Sequence, residues 1–487
     1  VSELNRREFL LWSAATAALG GVAQAQTTRP AGRPNLIYVF PDQMRASACA
    51  YRELADPTHT PNIDRFASQG VTLTHAFSTF PVCSPYRGQL LTGCFPVTNG
   101  VTGNCQSGNP GVELRRTDLC LTDVLRAAGY DVGYIGKWHL ECPHQPYVMK
   151  PAADGSMWNE YTPPERRHGI NYWHAFNDYD NHLNPQYWIG DAPRDRLTPI
   201  HEFSPEYETN VAIDYLRNTG GRYRDAAKPF ALFVSHNPPH TPYNQVPQQY
   251  LDRYGDATPA ELLKRTNVDL ASDHPNAKAG RKWAKDYFAL CTGIDDQFGR
   301  LLAEVDRLGQ ADNTLVVFTS DHGDMMGSHN RMAKTVWYDE SYRVPFIARL
   351  PGRLRPGTSD DLLITAADIA PTLLGTLGID PPRQWEGRNY ASALAGNPAD
   401  RPTSALYLHP GRHARGVRTH RWCYVLNRKP QQTGPESDGQ EQPLYLFDMQ
   451  DDPYQLHNLA GQRPGVEREL LDEIRGWMRR TNDPWVA

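Results

Sequence analysis

The chain has 487 residues, 39% of them hydrophobic, and a formal charge of −5. That is enough apolar material for one large domain and a smaller one. Near-balanced charge leaves no electrostatic footprint for nucleic acid, which calls for a basic excess or stripe, so the expected partner is a small molecule. Eight cysteines in a chain this long, with no C-x-x-C pair, fit neither a disulfide scaffold nor a zinc motif, though one or two disulfides can be accommodated.

In chain order, the stretch "NRREFLLWSAATAALGGVAQAQ" pairs Arg6 and Arg7 ahead of a short Ala- and Gly-rich apolar run ending in Ala23-Gln24-Ala25. This reads as a twin-arginine export signal cleaved near Ala25 (residues 1–25), with a periplasmic or extracellular destination. The run is too short to anchor in a bilayer, and no later segment is apolar enough to span one. Strands are predicted at Leu36–Phe40, Val132–Ile135, Phe230–Val234, Leu315–Thr319 and Phe346–Ala348, as short runs of β-branched and aromatic residues. Helices are predicted over 60–70, 120–129, 204–218, 285–309 and 364–379, where apolar residues recur every three or four positions. This alternation specifies an α/β fold around a large, mostly parallel sheet flanked by helices. Residues 141–205 lack periodicity, are crowded with Trp, Tyr, His, Asn and Pro, and read as a long functional loop over one face. After "GIDPPRQWEGR" come short strands, a Gln- and Gly-rich polar loop from Lys429 to Gln442, and a last helix "GVERELLDEIRGWMRR". A catalytic domain over 33–394 and a small C-terminal α+β subdomain over 395–487 follow.

In an open parallel sheet, ligands bind at the carboxyl ends of the strands. Here the first strand runs into Asp42-Gln43, the second into "GKWH" (Lys137, His139), the third into "SHNPPH" (His236, His240) and the fourth into "SDHGD" (Asp321, His322, Asp324). Any one of these side chains is as readily a cap or a solvated loop residue, but four strand ends together point to one shared site. Asp42, Asp321 and His322, with the Gln43 amide oxygen, make an oxygen-rich cluster for a hard divalent cation such as Ca²⁺ or Mg²⁺, and the imidazole also admits Mn²⁺. Arg87, Lys137 and Lys334, with the histidines, supply positive charge for an anion. In "FPVCSPYRGQLLTG", Ser84 is suited to cap a helix and Pro85 to its first turn. Cys83 is thus expected beside a helix N-terminus, where free N–H groups favour anions. Metal, helix N-terminus and cations around one nucleophile describe transfer of a phosphoryl or sulfuryl group.

The C-S-P-Y-R run, followed by G-Q-L-L-T-G, resembles the C-x-P-x-R signature of the formylglycine-dependent sulfatases of the alkaline phosphatase superfamily. The resemblance extends from "RPNLIYVFPDQ" through "GYDVGYIGKWHL", "HNPPHTPY", "TSDHGDMMGSH" and "KTVWYDESYRVPFI" to "LYLFDMQDDPYQLHNLA". It implies an alkaline-phosphatase-like fold and oxidation of Cys83 to formylglycine by a formylglycine-generating maturation enzyme, feasible before export. It also implies Arg87 as the helix-borne stabiliser of that residue, and Asp42, Gln43, Asp321, His322 and the modified Cys83 around one divalent cation, Ca²⁺ first. Lys137, His139, His240 and Lys334 then hold the sulfate and move protons: Lys334 on the sulfate oxygens, His240 with Lys137 at the leaving alcohol, His139 at the hydrate. Many family members carry Asp-Asp and Asp-Asn where this chain has Asp42-Gln43 and Asp321-His322. Those pairs look like the ones in choline sulfatases and phosphonate monoester hydrolases, which makes a phosphorus ester the alternative substrate. A non-catalytic exported carbohydrate-binding protein is the alternative of another class, and the complete set of strand-end residues argues against it. The expected substrate is a carbohydrate sulfate ester. Aromatics between Trp158 and Trp188 would pack on sugar rings, and Arg166 and Arg167 would meet a second anionic group.

Overall fold

A computed structural model of the protein describes residues 32–152, 154–397, 400–409, 414–428 and 441–486. The export signal read at 1–25 and most of the polar loop from Lys429 lie outside these residues.

Ten strands form the main sheet: β1 (Asn35–Val39), β2 (Val71–Phe77), β3 (Asp131–Lys137), β4 (Tyr172–Phe176), β5 (Gln186–Ile189), β6 (Thr198–Pro199), β7 (Phe230–Ser235), β8 (Thr314–Thr319), β9 (Phe346–Arg349) and β10 (Thr358–Thr365). Their order is β10-β2-β9-β8-β1-β7-β3-β4-β5-β6. The centre is parallel, β8 and β7 each pairing with β1, and β3 with β7 and β4. Strand β9 runs antiparallel to both its neighbours, as do β5 and β6 at the far edge.

Alternation along the central strands feeds two cores. Leu36, Tyr38, Phe233, Leu315 and Val317 face one layer, with helices Cys83–Thr92 and Ala366–Leu377. Ile37, Val39, Leu232, Val316 and Phe318 face the other, against the long helix Pro275–Arg307. Burial on both faces is why these strands read as unbroken apolar runs. The long helix begins ten residues before its predicted start. Its first turns bury only Ala277, Gly280 and Ala284, too small to register as an apolar stripe. Gly280 lies so close to Gly327 that a Cβ there would stand 2.7 Å from the Gly327 Cα.

The stretch read as one loop over 141–205 carries β4, β5 and β6, which extend the sheet past β3. Strand β4 adds directly to β3 in parallel register, from Gly133 opposite Tyr172 to Lys137 opposite Phe176. The other two are very short, and none shows the alternation that marks a strand.

Four antiparallel strands, β11 (Ala405–Leu408), β12 (Ala414–Arg418), β13 (Trp422–Arg428) and β14 (Glu441–Asp448), make a second sheet. One face packs on helix Pro464–Arg480 through Leu470, Ile474 and Trp477. The other packs on Phe77, Trp337 and Tyr342 of the main body, near the segment that carries Lys334. All eight cysteines are free. No helix among the described residues is long and apolar enough to cross a membrane.

Candidate active site

Because β8, β1, β7 and β3 are adjacent and parallel, their carboxyl ends open on one edge and bring the expected side chains together. Asp42, Asp321 and His322 are fully buried there with Cys83, and the ligand atoms of all four lie within 4.8 Å of one another. His322 Nε2 stands 3.3 Å from Cys83 Sγ and 3.4 Å from Asp42 Oδ1, while Cys83 Sγ is 3.6 Å from that same oxygen.

The Cys83–Thr92 helix starts one residue earlier than its expected cap. Val82 is the N-cap, Cys83 is the first helical residue, and the Ser84 hydroxyl accepts from the Cys105 amide at 3.0 Å. Four residues on, Arg87 lies on the same side of the helix. One guanidinium nitrogen reaches Asp42 (3.3 Å) and Asp321 (3.1 Å), and another donates to the Lys137 carbonyl and the Ser235 hydroxyl, both at 2.7 Å. Arg87 thereby ties the helix to all four strand ends.

Gln43, next to Asp42, is held beside the cluster by its own hydrogen bonds. Its backbone N–H donates to Asp321 (2.9 Å), its amide nitrogen to Asp324 and Tyr243, and its amide oxygen accepts from Lys334 at 2.7 Å. Gln43 and His139 hold left-handed φ values of 69° and 53°, and Lys334 sits between Ala333 (57°) and Thr335 (68°). Such conformations persist only where the surroundings enforce them.

Cations ring the cysteine. Lys137 Nζ is 2.9 Å from Asp42 and 2.7 Å from Asp178, and Lys334 Nζ is 3.6 Å from Cys83 Sγ and 2.9 Å from His240 Nε2. Burial and Asp42 oppose a thiolate, yet Lys334, Lys137 and His322 hold Cys83 well below the ordinary thiol range. Burial likewise opposes the Asp42 charge, but Lys137, His240, His322 and Lys334 keep its carboxyl well below the usual range. Burial and the neighbouring Asp42 push Asp321 up to about 6. A buried carboxylate held unfavourably beside a second one, with an imidazole and a sulfur or oxygen donor in reach, fits a divalent cation.

His139 is buried with neither ring nitrogen hydrogen-bonded, and Nε2 lies 3.7 Å from Asp178. His236 is committed to Glu208 (2.6 Å), and Asp324 to Gln43 and Tyr243; both are structural supports.

Strand β4 adds a fifth strand end that sequence reading missed. It delivers Asp178 to Lys137 and His139, and Asp180 to His240 (3.2 Å). The signal was "NDYD" directly after the aromatic run "YWHAF".

A cavity of about 440 Å³ opens above Cys83, walled by Lys150, Trp158, Tyr179, His139, His240 and Lys334. The two arginines expected at its rim are committed elsewhere. Arg166 pairs with Glu141 and Glu113, while Arg167 is buried, donating to the Thr162 and Gly190 carbonyls and stacking its guanidinium over Trp173. Of the loop aromatics, Trp173, Tyr187 and Trp188 are core, and only Trp158 and Tyr179 line the cavity. A cationic pocket over a cysteine at a helix N-terminus can hold an anionic group against that side chain.

Two family models match the chain. The Sulfatase model covers residues 34–379, and that of the C-terminal part of N-sulphoglucosamine sulphohydrolase covers 327–479. The chain is 38% identical to an endo-4-O-sulfatase of Bacteroides thetaiotaomicron, over 97% of each. It is 34% identical to an ulvan-active sulfatase of Formosa agariphila, over 88% of this chain and 77% of that one. A solved sulfatase structure from work on the metabolism of multiple glycosaminoglycans by Bacteroides thetaiotaomicron superposes with a TM-score of 0.85 at 37% identity, covering 93% of this chain and 98% of that one. On these matches and the strand-end site they span, the chain belongs to the sulfatase family of sulfuric ester hydrolases, in the alkaline phosphatase superfamily.

Proposed function

We propose that the protein hydrolyses a sulfate ester on a carbohydrate, using Cys83 oxidised to formylglycine and one divalent cation held by Asp42, Asp321, His322 and that residue, with Gln43 as a further oxygen donor. The observation that carries this reading is the placement of Cys83 at a helix N-terminus, against the metal-type cluster and under a cavity walled by Lys334, His240 and His139. Ca²⁺ is the first candidate, with Mn²⁺ and Mg²⁺ behind it because His322 offers nitrogen.

A bound cation supplies Lewis-acid polarisation of a sulfate oxygen. Formylglycine supplies, as its hydrate, one hydroxyl to attack sulfur and a second to expel sulfate afterwards, which a serine or cysteine lacks. The chain's own groups do the rest. Lys334 Nζ, 3.6 Å from Cys83 Sγ, binds sulfate oxygens. His240, which lines the cavity with Nε2 beside Lys334, gives a proton to the leaving alcohol, with Lys137 supporting the charge. His139, whose nitrogens are unengaged, takes the proton released when the second hydroxyl collapses. Arg87 fixes the carboxylates on which the cluster depends. Export by the twin-arginine route, after maturation by a formylglycine-generating enzyme, belongs to the same proposal and rests on Arg6, Arg7 and the Ala23-Gln24-Ala25 site.

The substrate class rests on Trp158 and Tyr179 in the cavity wall and on the relatives named for sulfated carbohydrates. Contacts remote from the sulfate contribute to kcat/KM when they hold the transition state. On a panel of 4-O-sulfated glycosaminoglycan oligosaccharides, ulvan oligosaccharides, 4-nitrophenyl sulfate, choline sulfate and a phosphonate monoester, kcat/KM should favour a sulfated sugar by about a hundredfold. Preference for the phosphonate would reverse the assignment to sulfur, and preference for either simple sulfate would remove the carbohydrate.

A further inference from the structure

His240 is in a difficult position for a proton donor. Its Nε2 lies 2.9 Å from the Lys334 ammonium, and Lys137 is a second positive neighbour. Two cations beside an imidazole expel its proton unless an anion answers them. Strand β4 brings that anion: Asp180 Oδ1 is 3.2 Å from His240 Nδ1 and accepts from Asn237 Nδ2 at 3.1 Å, while Asn237 Oδ1 accepts from Lys137 at 3.1 Å. The Thr241 carbonyl, 2.9 Å from Nδ1, fixes that nitrogen as the N–H and leaves Nε2 turned to Lys334, with which His240 lines the cavity.

We propose that Asp180 is a positioning residue, the counter-charge that lets His240 hold a proton beside Lys334 and Lys137 and release it from Nε2 to the ester oxygen. This role rests on the hydrolase reading above. As the sulfur–oxygen bond breaks, its electron pair passes to the ester oxygen, which takes the Nε2 proton; solvent returns a proton to Nε2 before the next turnover. The groups facing His240 are Asp180, Lys334, Lys137, Asp42 and the buried His182, which burial holds down at about 4 and so leaves neutral. Burial and Lys334 push His240 down, Asp180 and Asp42 push it up, and the balance raises it to about 10. The Asp180 side chain is 40% exposed at the cavity mouth, so water screens its charge in the free enzyme. A sugar filling the cavity excludes that water and strengthens the pairing with His240.

A group raised above its ordinary value keeps its proton to higher pH, and activity that needs the proton falls as pH rises through that value. Removing Asp180 lowers the value, so the alkaline limb of kcat/KM moves toward acid. The test compares the full-length enzyme with Asp180→Asn and Asp180→Glu, on the sugar sulfate best turned over and on 4-nitrophenyl sulfate, whose phenolate leaves with little need of a proton. Asp180→Asn should bring the alkaline limb back toward the ordinary imidazole value, a shift of about three pH units, and so lose about thirtyfold on the sugar ester at pH 8, yet lose less than about fivefold on the aryl ester. Asp180→Glu should recover most of the loss. Equal losses on both esters with an unmoved limb, or no loss at all, would overturn the role; where only the sugar ester is turned over, the limb alone decides. Wild-type enzyme releasing sulfate from neither ester overturns the hydrolase reading and this role with it.

Discussion

Replacing Cys83 by alanine should leave a folded protein that releases no sulfate. The side chain is 1% exposed, but its nearest partners are Asp42, His322 and Lys334 rather than core side chains. Little packing is lost, and the thermal midpoint should move by only about 2–4 °C. The covalent step has no substitute atom at this position, so kcat should fall by at least about 10⁴-fold. Cys83→Ser should fail nearly as badly, because one hydroxyl cannot both attack sulfur and expel it. Cys94→Ala, just beyond the other end of the helix, should retain activity. Sulfate release at wild-type rate from Cys83→Ala would remove the nucleophile from the scheme.

Asp321→Asn should abolish activity without unfolding the protein. The neutral amide keeps the shape of the side chain, and Arg87 keeps its contact with Asp42. In the metal-free protein the Asp321 carboxyl is raised from 3.8 to about 6, by burial and by Asp42. The folded state then holds a proton that the unfolded chain gives up, so metal-free stability declines as pH rises from the ordinary carboxylate value through about 6. That penalty is fully present at neutral pH, and a divalent cation answers the same excess charge. The metal-free variant at pH 7 should therefore melt no lower than metal-free wild type. Addition of Ca²⁺, Mn²⁺ or Mg²⁺ should raise the melting temperature of wild type and not that of Asp321→Asn, and chelation should remove wild-type activity. A variant that keeps full activity, or keeps the metal-dependent rise, would contradict the ligand set.

Strands β1, β3, β7 and β8 are legible in the sequence because both their faces are buried, and the polar residues that follow them fall on one edge because the strands are parallel and adjacent. Strand β2, "VTLTHAF", was not recognised: Thr72, Thr74 and His75 break its apolar run, and Thr74 and His75 pair side chain to side chain. The antiparallel sense of β9 depends on neighbours far off in the chain and leaves no local mark. Missing β4 hid Asp178 and Asp180, because a carboxylate in an apparent loop looks solvated until a strand aims it. The reverse happened at Arg166 and Arg167, which look like free surface cations but find Glu141, Glu113 and two carbonyls through tertiary packing.

The most direct measurement is the mass of the tryptic peptide Phe66–Arg87, taken from enzyme produced together with a formylglycine-generating enzyme and assayed in the same preparation. Conversion of Cys83 replaces CH₂–SH by an aldehyde, so the peptide should be lighter by about 18 Da, and specific activity should rise in proportion to the converted fraction. A fully active preparation whose peptide carries only the unmodified thiol would contradict the mechanism at its centre.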